Sequence, residues 1–106
     1  MAARGDIWAV NLDPTQSSEI RKSRPCVVVS PPEMLEHLRT VLVAPMTSKG
    51  QSAPFRIPIT HDGQKGLVLL DQIRAVDKTR LVRKSGRTSS STLANIIATL
   101  QTIFGP

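Results

Sequence analysis

No apolar run in this chain is longer than a strand. The candidates, residues 26–30 and 40–46, are bounded by prolines and polar residues. A membrane-spanning helix needs about 20 consecutive apolar residues, and nothing here approaches that. Only one stretch carries a helical period over several turns: Leu93, Ile96, Ile97, Leu100, Ile103 and Phe104 fall on one face. Ser89 suits its N-cap, and Gly105-Pro106 its stop. A shorter helix is expected after Pro31-Pro32, with proline and Glu33 in its first turn. The rest reads as strands and turns.

Residues 7–12 form a first strand ended by Asp13-Pro14, a turn-initiating pair. The polar, aperiodic segment 15–23 follows as an exposed loop. Cys26 to Ser30 is a continuous β-branched run, typical of a strand buried on both faces. Residues 40–46 make a third strand whose far end Pro45 weakens. Residues 54–59 alternate, with Phe55, Ile57 and Ile59 on one face, and His61-Asp62-Gly63 and Lys65-Gly66 carry turn chemistry. Residues 67–76 read as one further strand, interrupted by the polar Asp71, Gln72 and Arg74. Five or six short strands with a terminal helix predict a mainly β fold with added α: a strongly bent sheet or small barrel. Its large core-fillers are Trp8, Phe55 and Phe104, and aliphatics must supply the remainder.

At 106 residues, 40% hydrophobic and 21% charged, the chain fits one globular domain spanning 1–106. Residues 1–6 contain Arg4 and Asp6 and no apolar signal region, so the expected location is the cytoplasm. Cys26 is expected to be a small buried hydrophobe, since a lone cysteine closes no internal disulfide. His37 and His61 stand without metal-ligand spacing and read as surface residues, so neither a metal nor another cofactor is expected. Charge is distributed unevenly. Residues 78–106 hold five basic residues and no acid, whereas residues 1–77 hold nine basic against eight acidic. A basic surface of this kind favours a polyanion, most commonly nucleic acid.

Polar residues at strand ends remain as chemistry: Arg24 before Pro25, Thr47 after Met46, and Asp71, Gln72 and Arg74. A guanidinium, a hydroxyl and an amide or carboxylate would suit a phosphodiester and a base edge. Taken singly, Thr47 reads rather as an ordinary loop hydroxyl, and Asp71 with Arg74 as an ion pair that merely pins register within the sheet.

The blocks Arg4-Gly5-Asp6-Ile7-Trp8, Asn11-Leu12-Asp13-Pro14-Thr15, Ser18-Glu19-Ile20-Arg21-Lys22, Arg24 to Ser30, Ala44-Pro45-Met46-Thr47 and Leu70-Asp71-Gln72-Ile73-Arg74 change that balance. In this order they resemble the MazF/PemK family of type II toxin endoribonucleases over nearly the whole chain. The resemblance implies an SH3-like barrel of five to seven short strands, usually a homodimer. It also implies metal-independent cleavage of single-stranded RNA at short sequences, leaving a 2′,3′-cyclic phosphate and a 5′-hydroxyl. It assigns catalysis to Arg24 and Thr47, and RNA binding or support of the site to Glu19, Lys22, Asp71, Gln72 and Arg74. The implied partners are RNA and a cognate antitoxin with an acidic, partly disordered segment. Ser17 departs from the glycine usual before Ser-Glu. Two other readings stand beside this one: a toxin of the same fold that poisons DNA gyrase by binding it, and an RNA-binding barrel without chemistry.

Overall fold

The computed structural model describes residues 2–12 and 23–106. Among these, seven strands and two helices follow one another. They are β1 (Asp6–Val10), β2 (Arg24–Val28), α1 (Pro32–His37), β3 (Thr40–Thr47), β4 (Arg56–His61), β5 (Gln64–Leu69), β6 (Arg74–Asp77), β7 (Leu81–Arg87) and α2 (Ser90–Phe104). All pairings are antiparallel, in the order β4-β5-β3-β2-β1-β7, with β6 also on β3.

Burial of β2 on both faces explains how this short chain builds a core. Cys26 and Val28 face one apolar cluster with Val10, Leu35, Val41, Val43 and Val76. Val27 and Val29 face the other, with Ile7, Ala44, Met46, Ile57, Ile59, Val68, Leu70 and Ile96. The period-2 alternation of a strand separates the two sets. Helix α2 closes the second cluster with the fully buried Ile96, and its first turn is capped by the Ser89 hydroxyl, which accepts from Thr92 N at 3.1 Å.

Four expectations change. Trp8 is only half-buried, and Phe55 and Phe104 are 42% and 75% exposed, because Phe55 precedes β4 in a turn and Phe104 ends α2. The core is aliphatic. The stretch 67–76 is two strands, not one: a 3-10 turn at Leu70–Gln72 separates β5 from β6. Pro45 does not end β3. It sits where β3 changes partner on one side, from β6 over Thr40–Val43 to β5 at Met46 and Thr47. Lys65-Gly66 lies inside β5, and the turn before it is Asp62-Gly63, both with positive φ, of 52° and 73°. That is the Asp-Gly pair favoured by two-residue hairpins.

The two ends of the strand order meet. β4 and β7 share no ladder among the described residues, yet His61 Nε2 on β4 lies 3.3 Å from Ser85 Oγ on β7. The sheet thus curls toward a barrel and is joined there by side chains. At the opposite edge of β7, the fully buried carboxylate of Asp6 accepts from Ala3 N at 2.8 Å and from Arg87 at 2.8 Å, with Lys84 Nζ at 3.4 Å. The indole N–H of Trp8 adds a longer contact at 3.4 Å.

Cys26 is buried, and burial pushes its thiol from 9.0 up to about 12, against the opposing pull of the Arg24 and Arg74 charges. Its folded pKa is raised, so the unfolded chain loses the thiol proton first. Stability is therefore expected to be unaffected by this group below pH 9.0 and to fall as pH rises from there toward about 12. Titration with a thiol reagent at pH 8 checks the same point: Cys26 should react slowly in the folded chain and rapidly in urea. Rapid reaction without urea would contradict the burial.

Candidate active site

Strand register brings Arg24 and Thr47 together. In the β2–β3 ladder Cys26 faces Pro45, Val27 faces Ala44 and Val28 faces Val43. Two residues further along the same register, Arg24 stands across from Thr47. Pro25 donates no hydrogen bond and lies next to the exposed Arg24 at the strand mouth. One guanidinium nitrogen donates to Met46 O at 3.4 Å. The Thr47 hydroxyl accepts from Lys49 N at 3.1 Å, a local turn contact that leaves its own proton available.

Both residues line one cleft of about 270 Å³, together with Ser48, His61, Gln64 and Lys65. This volume falls just below the usual range for small-molecule pockets, and suits one linkage of a flexible strand better than a duplex. The cleft is continuous in its lining with two neighbours. Lys65 and Gly66 also border a cavity of about 200 Å³ with Lys49 and one of about 500 Å³ beside Ser89 and Thr92. Gly66 cannot carry a side chain here, because a Cβ would stand 2.6 Å from the Thr47 carbonyl oxygen. That close approach seats β5 against the end of β3.

The other expected site residues lie elsewhere or outside the described residues. Asp71 and Gln72 are exposed on the 3-10 turn after β5 and do not line the cleft. Asp71 is paired with Arg56 by two contacts of 3.4 Å, rather than with Arg74. Arg74 opens β6 opposite Val43, close enough for its charge to act on Cys26 together with that of Arg24. Glu19 and Lys22, with Ser17 of the departing position, fall outside the described residues.

His61 and Lys65 are the residues that sequence reasoning passed over. His61 looked like a turn residue, yet it is the last residue of β4 and its side chain is only 17% exposed. The signal was the alternation Ile57, Ile59, His61, which continues the inward face of the strand up to the Asp-Gly turn.

Comparison with known proteins identifies relatives of the whole chain and of its fold. The chain matches the PemK-like, MazF-like toxins of type II toxin-antitoxin systems over residues 3–104. It is 33% identical over 107 residues to the endoribonuclease PemK of Escherichia coli, covering 95% of this chain and 80% of that one. It is 34% identical over 107 residues to the endoribonuclease MazF9 of Mycobacterium tuberculosis, covering 91% and 90%. Among solved structures, a mycobacterial endoribonuclease in complex with its cognate antitoxin superposes with a TM-score of 0.82 at 21% identity, covering 99% of this chain and 96% of that one. A MazE-MazF structure from Deinococcus radiodurans gives 0.79 at 24% identity, covering 98% and 95%. With the family match running over residues 3–104 and these relatives covering nearly its whole length, the chain belongs to the PemK-like, MazF-like family of type II toxins.

Proposed function

We infer that this chain is a sequence-specific, metal-independent endoribonuclease that cleaves single-stranded RNA, and the toxin of a type II toxin-antitoxin pair. The observation that carries this reading is the meeting of Arg24 and Thr47, from two strands, at one small cationic cleft. The named activity of the relatives supports it.

The chemistry is in-line attack of a ribose 2′-hydroxyl on the adjacent phosphorus. The 2′-oxygen to phosphorus bond forms and the bond to the 5′-oxygen breaks. Products are a 2′,3′-cyclic phosphate and a 5′-hydroxyl. Charge builds on the non-bridging oxygens as phosphorus becomes five-coordinate. The Arg24 fork stabilises that charge, and the Thr47 hydroxyl donates to one of those oxygens. Lys65 and Lys49 extend the positive field along the neighbouring cavities, where the flanking phosphates would run. Glu19, Lys22, Asp71, Gln72 and Arg74 belong in this reading to RNA binding around the cleft.

The active form is a cytoplasmic homodimer. Its antitoxin silences it by laying an acidic, partly disordered segment over the cationic cleft, folding as it binds. The solved mycobacterial endoribonuclease in complex with its cognate antitoxin supports the existence of such a partner.

Purified protein incubated with a long single-stranded RNA in EDTA tests the reading. Discrete cuts ending in cyclic phosphate, absent when the ribose at the cut site is 2′-deoxy, are the expected result. Folded protein that binds RNA without cutting it, or that captures gyrase instead, would overturn it.

A further inference from the structure

Thr47 ends β3, where it pairs with Leu67. Its hydroxyl and its methyl share one carbon, so a single rotation about χ1 aims both. Two neighbours set that rotation. Lys49 N donates to Oγ1 at 3.1 Å, and the methyl lies beside the bend at Gly50, where φ is +125°. A Cβ placed on Gly50 would stand 3.9 Å from Thr47 Cγ2 and 3.8 Å from Arg56 Nη1. Among the described residues, chain neighbours aside, nothing else comes within 4 Å of that point. The direction of the hydroxyl thus depends on where residues 48–50 lie, and these lie against Arg56.

Arg56 is itself held. It opens β4 across from Leu69, its backbone N–H donates to Ala53 O at 3.0 Å, and its side chain is 29% exposed. One edge of the guanidinium is taken by Asp71: Nε donates to Oδ1 and Nη2 to Oδ2, each at 3.4 Å. Asp71 rides on the 3-10 turn, which is tied to the same corner by Leu70 N donating to Phe55 O at 3.0 Å. With that edge engaged, Nη1 is the nitrogen left to meet Gly50. A partly exposed ion pair of this length adds little to stability. A planar fork gripped at two points nevertheless fixes where its third nitrogen stands. Arg56 lines neither the cleft nor the adjoining cavities of Lys49 and Lys65, so its route to the chemistry runs through Thr47.

We propose that Arg56 is a positioning residue for the cleavage reaction: gripped by Asp71, it backs the Gly50 bend and so keeps the Thr47 hydroxyl aimed into the cleft. The proposal rests on the endoribonuclease reading above, in which that hydroxyl donates to a non-bridging phosphate oxygen. Asp71, outside the cleft, reaches the reaction at one remove. A displacement of about 1 Å in a reacting group can cost about 10²-fold. Without Arg56 the Lys49 bond and the pairing with Leu67 still hold Thr47, so a smaller loss is expected.

A double-mutant cycle in single-turnover RNA cleavage tests this, with wild type, Arg56→Gln, Asp71→Asn, Thr47→Val and Arg56→Gln combined with Thr47→Val. Binding of an uncleavable 2′-deoxy RNA analogue is measured across a salt series beside it. Valine keeps the methyl against Gly50 and removes only the hydroxyl, so Thr47→Val should lose about 10²-fold. Arg56→Gln and Asp71→Asn should each lose about tenfold in rate, and bind the analogue with the wild-type affinity and salt slope. In the Thr47→Val background Arg56→Gln should cost nothing more, because no hydroxyl is left to aim. Equal losses in both backgrounds overturn the proposal, since a role in the fold alone does not depend on Thr47. So does weaker binding by Arg56→Gln with a salt slope lowered by about 0.7, the mark of a lost phosphate contact. An unchanged rate in Arg56→Gln, Asp71→Asn or Thr47→Val overturns it as well. In each of these cases the wild type still cuts and the endoribonuclease reading stands. A wild type that cuts no RNA removes both.

Discussion

Arg24→Ala is expected to lower the rate of RNA cleavage by about 10²- to 10³-fold, equivalent to roughly 3 to 4 kcal/mol of lost transition-state stabilisation. The loss should fall on the chemical step. The guanidinium meets charge that develops only as phosphorus becomes five-coordinate, so ground-state RNA binding should weaken less than turnover. Arg24→Lys should recover only part of the rate, because an ammonium keeps the charge but not the two-pronged fork. Folding should be spared in both variants. Arg24 is exposed at the start of β2, and its hydrogen bond within the chain to Met46 O is a long one, 3.4 Å. Single-turnover cleavage alongside urea denaturation separates the two effects. Unchanged turnover in a folded Arg24→Ala would remove this residue from the site.

The largest stability effect is expected at Asp6, far from that chemistry in role though on the strand next to β2. Asp6→Ala removes a fully buried carboxylate and strands the backbone N–H of Ala3, the indole of Trp8 and the cations of Arg87 and Lys84. Losing one partner of a buried ion pair typically removes 3 to 5 kcal/mol. Arg87 and Lys84 are about half-exposed, at 52% and 46%, and can recover water, which places the expected loss near the lower end, about 3 kcal/mol. The midpoint of urea unfolding should move accordingly with an unchanged slope. A midpoint shift below about 1 kcal/mol would mean that water replaces the carboxylate without penalty, contrary to its burial.

These two residues also show what can be read from a chain of this kind. The strands that form the core announce themselves: β2 by a β-branched run, α2 by its stripe and its Ser89 cap, both as described from the sequence. Strand β7 does not, because Arg83, Lys84, Ser85, Gly86 and Arg87 have no apolar alternation. It is held by pairing with β1 and by the Asp6 carboxylate. Such tertiary partners leave no period in the local sequence. Phe55 and Phe104 misled for the complementary reason, since size and hydrophobicity say nothing of where a turn or a helix end will place a ring.

The candidate site divides in the same way. Arg24 and Thr47 were singled out by the blocks surrounding them, and their proximity follows from the β2–β3 register, which no local pattern specifies. Asp71 and Gln72 were legible as an interruption, but that interruption turned out to be a change of strand. His61 was hidden in a turn motif even though its alternation with Ile57 and Ile59 pointed inward.

The junction between β4 and β7 gives the barrel a seam without a backbone ladder, closed by His61 and Ser85 at the wall of the cleft. Parting two strands held by side chains alone requires far less than unzipping a ladder, so this is where brief local opening should be most frequent. Amide exchange along the two strands then becomes a clock for that opening. A polyanion lying across the seam would slow the clock, reporting occupancy of the cleft in molecules that never turn over.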